Sequence, residues 1–173
     1  METRVHRRFG MTVWLTLSVG LAPPLSSQGP LQLGEVAPDF TLKQLAGGEA
    51  SLSEFRGRPV LVNFWATWCK PCRAEMPEII SAYQAHRDAG LEVLAVNLTD
   101  QESMKDVRKF TAEVGLPFTI LLDQKGAVRE RYGLIAVPTS IFIDSAGVMR
   151  MINSGPISRS ALDRGLREIL PSP

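Results

Sequence analysis

The chain has 173 residues and only two cysteines, Cys69 and Cys72, in the run Trp65-Ala66-Thr67-Trp68-Cys69-Lys70-Pro71-Cys72-Arg73. An apolar, strand-like run leads into this segment, and a helix-patterned run from Pro71 to about His86 leads out of it. That order places Cys69 at the mouth of a helix, where unbonded backbone N–H groups and the helix dipole favour an anion. A thiolate is such an anion, and it is the species that attacks disulfides. The same pair could instead be a structural staple. Bridging residues 69 and 72 closes a loop of only four residues; the chain-entropy model gives such a loop about 2 kcal/mol, against about 4.7 kcal/mol for a 100-residue loop. The spacing therefore suits redox chemistry better than stapling. A zinc site is the other use of paired cysteines, but the two histidines, His6 and His86, are remote.

The elements that must position the pair can be read around it. Val60-Leu61-Val62-Asn63-Phe64-Trp65 is apolar with one polar residue, the pattern of a strand covered on both faces. Pro71 lies in the first helical turn, where its missing N–H costs little. Pro77 lies deeper and is expected to kink the helix. Gly90 is expected to close the segment. Residues 91–98 read as a second strand and 118–122 as a third. Between them, residues 101–114 read as an amphipathic helix with Met104, Val107, Phe110 and Val114 on one face. Residues 125–132 suggest a short helix or turn. Residues 139–144 and 148–153 read as strands joined by Ser145-Ala146-Gly147, and Ser158 as the N-cap of a last helix to Leu170. Upstream, residues 40–42 and 50–52 read as a hairpin around Ala46-Gly47-Gly48. Alternating strands and helices followed by a hairpin and a helix predict an α/β fold with a central mixed sheet flanked by helices. In such sheets sites form at the C-terminal ends of strands, and the Cys69 loop is at such an end.

Charge and the N-terminal segment bound the partners. The formal net charge is +1, of which residues 1–34 carry +2 (Arg4, Arg7 and Arg8 against Glu2), leaving +1 − 2 = −1 on the rest. A near-neutral body has no electrostatic footprint for nucleic acid and argues against a substrate chosen mainly by charge. Residues 1–28 read as a signal peptide or membrane anchor: a basic start, then roughly 14 apolar or small residues, shorter than the ~20 of a spanning helix. Export would place the cysteines where disulfides persist. The body, residues 33–171, is expected to be one domain and a monomer.

The same residues carry a resemblance. The run from Val60 to Cys72, with Pro77 five residues on and Val137-Pro138-Thr139 far downstream, resembles the thioredoxin superfamily. The lead-in Gly34-Glu35-Val36-Ala37-Pro38-Asp39-Phe40-Thr41-Leu42 is similar to its extracytoplasmic TlpA/ResA branch. The likeness covers about residues 33–170. It implies a thioredoxin-like fold with the hairpin as an N-terminal extension, and a disulfide that cycles between bridged and dithiol forms without a cofactor. Members of the branch commonly reduce protein disulfides, including the C-x-x-C-H thiols of apocytochromes c. A membrane thiol carrier would recharge such a protein.

Roles follow residue by residue. Cys69 is expected to be the nucleophile, with an exposed sulfur of lowered pKa, and Cys72 the less exposed resolving thiol. Lys70 is a candidate for added positive field. Pro71 is expected to hold the loop shape, Trp68 to line the site, and Trp65 to belong to the core. Glu75 lies three residues after Cys72, on the same helix face; the matching glutamate of the branch lies close to the active site and can move protons. Asn63 stands where cytosolic thioredoxins carry an aspartate, which leaves Glu75 as the nearby proton carrier. Pro138 is expected to be cis, with Val137 and Thr139 beside it binding an extended substrate strand. The lead-in is shared with peroxiredoxins, whose Pro-x-x-x-Thr-x-x-Cys motif is absent: Val62 and Ala66 occupy those positions before Cys69, and Trp65 and Cys69 before Cys72.

Overall fold

The computed structural model describes residue 1 and residues 31–171. Apart from Met1, the signal or anchor expected over residues 1–28 lies outside the described residues.

The sheet is built around β3 (Val60–Trp65), all six residues of which are buried. Its neighbours are β4 (Glu92–Asn97), parallel to it from Val60↔Glu92 to Trp65↔Asn97, and β6 (Thr139–Ile143), antiparallel from Val60↔Ile143 to Phe64↔Thr139. The hairpin strands are β1 (Thr41–Gln44) and β2 (Glu49–Ser51), and the remaining strands are β5 (Thr119–Leu122) and β7 (Met149–Ser154). The seven strands form one mixed sheet in the order β2-β1-β5-β4-β3-β6-β7. The hairpin extension is thus part of the main sheet, through Lys43↔Leu122 and Gln44↔Leu121. Its turn uses Gly47 at φ +106° and Gly48 at φ +77°, backbone that other residues rarely adopt.

Helix α1 (Lys70–His86) connects β3 to β4, and α2 (Met104–Val114) connects β4 to β5. Both are crossovers between parallel neighbours that step in the same direction across the sheet, so a common right hand puts both helices on one face. Alternation along β3 shows the result. Leu61 and Trp65 pack in one layer with Met76 and Ile79 of α1, Val107 and Phe110 of α2, and Leu162 and Leu166 of α4 (Arg159–Ile169). Val60, Val62 and Phe64 point the other way, onto Ala37 and Phe40 of the lead-in and Val128 of the short helix α3 (Ala127–Arg131). Asn63 has the parity of Leu61 and Trp65. It therefore faces α1.

Two local boundaries differ from expectation. The helix expected from residue 101 starts at Met104: Thr99–Gln101 is a 3-10 turn and Ser103 caps the helix, its hydroxyl oxygen accepting the Asp106 N–H. Helix α1 closes at His86, and a 3-10 turn, Arg87–Ala89, separates it from left-handed Gly90. Pro77 lies inside α1, which continues through it to His86; its missing N–H withdraws a donor from the carbonyl of Arg73. Ser158 caps α4 as expected, accepting the Ala161 N–H.

Candidate active site

The site is assembled where β3 ends. Ala66 to Cys69 make a turn closed by the Cys69 N–H on the Ala66 carbonyl at 3.2 Å. Cys69 is the N-cap of α1, with extended backbone, and its Sγ accepts the Cys72 N–H at 3.2 Å. Pro71 occupies the first turn, and the first turn carries no acidic residue. The sulfur therefore sits where the Cys72 amide, which has no intrahelical carbonyl to bond, and the positive end of a 17-residue helix converge. Cys69 and Cys72 are joined in a disulfide.

One expectation is corrected. Cys69 is 3% exposed and Cys72 fully buried, so the first cysteine is not the open sulfur that its position suggested. The cause is packing: both cysteines belong to the core layer that contains Trp65, Ala66 and Met76. What is open is the rim. Trp68 is 54% exposed, and Pro71 and Lys70 are exposed beside it. Trp65 is core, packed at a tilt against Phe110 with ring centroids 5.1 Å apart, and the Arg73 guanidinium covers the Phe110 ring at 4.6 Å.

The Val137–Pro138 peptide is cis. The β3–β6 register sets Thr139 opposite Phe64, so Pro138 is level with Trp65 and lies at the same end of the sheet as the cysteines. Pro138 and Thr139 are buried and Val137 is half-buried; the Thr139 hydroxyl donates to the Ala136 carbonyl at 2.9 Å, fixing the loop. Ile135 in that loop is fully exposed, an apolar contribution to the rim that the sequence did not single out.

Glu75 lies one helical turn below Cys72 and is 4% exposed. Its Oε1 accepts from Asn63 Nδ2 at 2.9 Å, and its Oε2 accepts the Ile157 N–H at 2.9 Å. Asn63 Nδ2 also donates to Ser140 Oγ at 3.0 Å. Burial pushes the Glu75 carboxyl above its ordinary range; the hydrogen bonds from Ile157 and Asn63 pull it back only in part.

Sequence reasoning missed Ser140, Ile157 and a second carboxylate, Glu102, which accepts hydrogen bonds from Thr67 and Asn97. The Ser103-x-x-Asp106 capping pattern was the available signal. It starts the helix after Glu102 and leaves that side chain free for the Cys69 loop.

The model of the AhpC/TSA family matches residues 33–152. The chain belongs to that family. It is 40% identical over 139 residues to the thiol-disulfide oxidoreductase ResA of Geobacillus kaustophilus, covering 80% of this chain and 79% of that one. It is 42% identical over 137 residues to the thioredoxin-like protein YneN of Bacillus subtilis, with 79% of each chain covered. Among solved structures, a putative thiol:disulfide interchange protein DsbE from Chlorobium tepidum superposes with a TM-score of 0.74 at 35% identity, over 79% of this chain and 96% of that one. The fold is thioredoxin-like, and the protein is an enzyme of the thiol–disulfide oxidoreductase class.

Proposed function

We propose that the protein is an extracytoplasmic reductant of protein disulfides that works through Cys69, Cys72 and Glu75. The Cys69 thiolate attacks a substrate disulfide. A mixed disulfide forms, and one substrate sulfur leaves as a thiolate. Cys72 then loses its proton to Glu75 and attacks Cys69 Sγ, which releases the second substrate sulfur and leaves the enzyme bridged. Two electrons pass to the substrate, and a membrane thiol donor restores the dithiol. Trp68, Pro71, Val137, Pro138 and Thr139 form the substrate-binding rim. The C-x-x-C-H thiols of an apocytochrome c are the candidate substrate, on the resemblance to the TlpA/ResA branch.

The observation that carries this reading is the Cys69 sulfur on the N-terminus of α1, with a buried acid one turn behind it. Asn63 supports the acid's role. Its amide donates to ionised Glu75, and its Oδ1 has no hydrogen-bond partner among the described residues. Turned over, the same amide would accept from protonated Glu75 and from the Ser140 hydroxyl. An aspartate at 63 could not serve both states without a proton of its own.

Two measurements test the proposal. Cys72→Ala, which cannot resolve the mixed disulfide, is expected to hold substrates covalently on Cys69; capture of no thiol partner from an extracytoplasmic fraction refutes the substrate reading. Equilibration with glutathione gives the direction. A midpoint more reducing than the glutathione couple but above about −300 mV fits a reductant, a lower value marks a structural bridge, and a more oxidising value marks a disulfide donor.

A further inference from the structure

The turn that delivers Cys69 to the helix is held by a side chain from the segment between β4 and α2. Thr67 donates its N–H to Glu102 Oε1 at 2.9 Å, with Oε2 at 3.2 Å, and donates its hydroxyl to Oε2 as well. Asn97 Nδ2 donates to Oε1 at 2.7 Å. The Thr99 hydroxyl donates to Asn97 Oδ1 at 2.9 Å and so fixes which way that amide faces. Asn97 is fully buried, ends β4, and pairs with Trp65 at the end of β3. One carboxylate thus ties the ends of the two central strands to residue 67, the first inner residue of the 66–69 turn.

We propose that Glu102 is the positioning residue of the nucleophile: it holds the turn so that Cys69 Sγ stays on the N-terminus of α1 after the disulfide opens. The inference rests on Cys69 being the attacking sulfur. In the bridged form the covalent bond to Cys72 helps hold the sulfur. In the dithiol form that tie is gone, and the place of the sulfur depends on the backbone that carries it. That backbone is anchored by Thr67, whose N–H and hydroxyl both donate to Glu102. A thiolate that drifts off the cap loses a capping hydrogen bond, which corresponds to about a fivefold change in the thiol's acid dissociation. The negative charge of Glu102 works in the opposite sense, since a nearby anion disfavours a thiolate. Position and charge can therefore be separated by substitution.

The test measures alkylation of Cys69 by iodoacetamide against pH in the reduced full chain, alongside the thermal midpoint. Glu102→Gln keeps one acceptor for the Thr67 N–H and Asn97, and turns its amide N–H to the Thr67 oxygen. It is expected to keep most of the alkylation rate, with the Cys69 pKa level or slightly lower. Glu102→Ala loses the anchor and is expected to raise that pKa by about half a unit to one unit relative to Glu102→Gln, and to slow disulfide exchange about fivefold. Equal behaviour of the two variants overturns the inference, whether both match the parent or both depart from it. If Glu102→Ala does not fold, Thr67→Val removes the hydroxyl arm alone; a two- to threefold slowing, about half the hydrogen-bonding loss, is then expected, and an unchanged rate overturns the inference. Cys69→Ser separates the two failures. Residual exchange in that variant removes the nucleophile reading itself, whereas an inert Cys69→Ser beside an unaffected Glu102→Ala removes only the role of Glu102.

Discussion

Glu75 illustrates how one side chain's surroundings become a measurable pH dependence. Its carboxyl is pushed up by burial, and its two hydrogen bonds offset that only in part. The fold therefore favours the protonated acid. Its contribution to stability is fully present below the ordinary carboxylate range and is lost as pH rises through the raised folded value. Glu75→Gln is expected to flatten that part of the stability curve, read by urea melts from pH 4 to 8; an unchanged slope would show that the acid ionises at its ordinary pH. The same substitution is expected to shift the pH profile of Cys72 reactivity, and no shift would remove the acid from the proton path. Cys69→Ser is expected to reduce disulfide exchange to background in a peptide assay, and residual turnover would reassign the nucleophile. The cysteines could be singled out from their spacing, Glu75 from its place on the same helix face, and Pro138 from the resemblance that Val137-Pro138-Thr139 carries. Ser140 and Ile157 could not, since they meet Asn63 and Glu75 from 77 and 82 residues away. The burial of Cys69 was equally unreadable, because a residue's place at a helix start says nothing of what packs over it.

Among the elements, α4 was legible from its Ser158 cap, but its fit against the sheet was not. Gly165 sits mid-helix and buried, an unfavourable residue there by propensity alone. A Cβ at 165 would stand 2.5 Å from the Phe142 ring of β6, which is itself fully buried. Gly165→Ala would gain about 1 kcal/mol of helix propensity and lose about 1–3 kcal/mol to overpacking. The net expectation is a thermal midpoint lower by a few degrees in a calorimetric scan; a higher midpoint would mean that the helix can step away from the sheet at little cost. Ser158→Ala is expected to destabilise by about 1 kcal/mol through loss of the α4 cap, measured by denaturant titration. The boundaries of α2 show the limit of periodicity. Glu102 is polar and fits the exposed side of a helical wheel, so only the cap chemistry at Ser103 tells that it lies outside the helix.

At the scale of the whole molecule, alternating strand and helix patterns were enough for the fold class. They did not determine that β1 pairs with β5, a contact between segments almost 80 residues apart that no local pattern encodes. The near balance of charge carries a consequence for partners. With a formal charge of −1 on the body beyond residue 34, encounter is not steered by a strong field. Exchange with a neutral peptide disulfide is expected to change less than about twofold between 0.05 and 0.5 M salt, and a steep salt dependence would point to a charged docking patch. The bond from Ile157 to Glu75 also joins the acid to the segment that enters α4. The amide proton of residue 157 is in effect an indicator dye wired to the redox centre. Its NMR shift should follow the carboxyl's ionisation, so that protonation beneath the cysteines can be watched in the native enzyme without touching a sulfur.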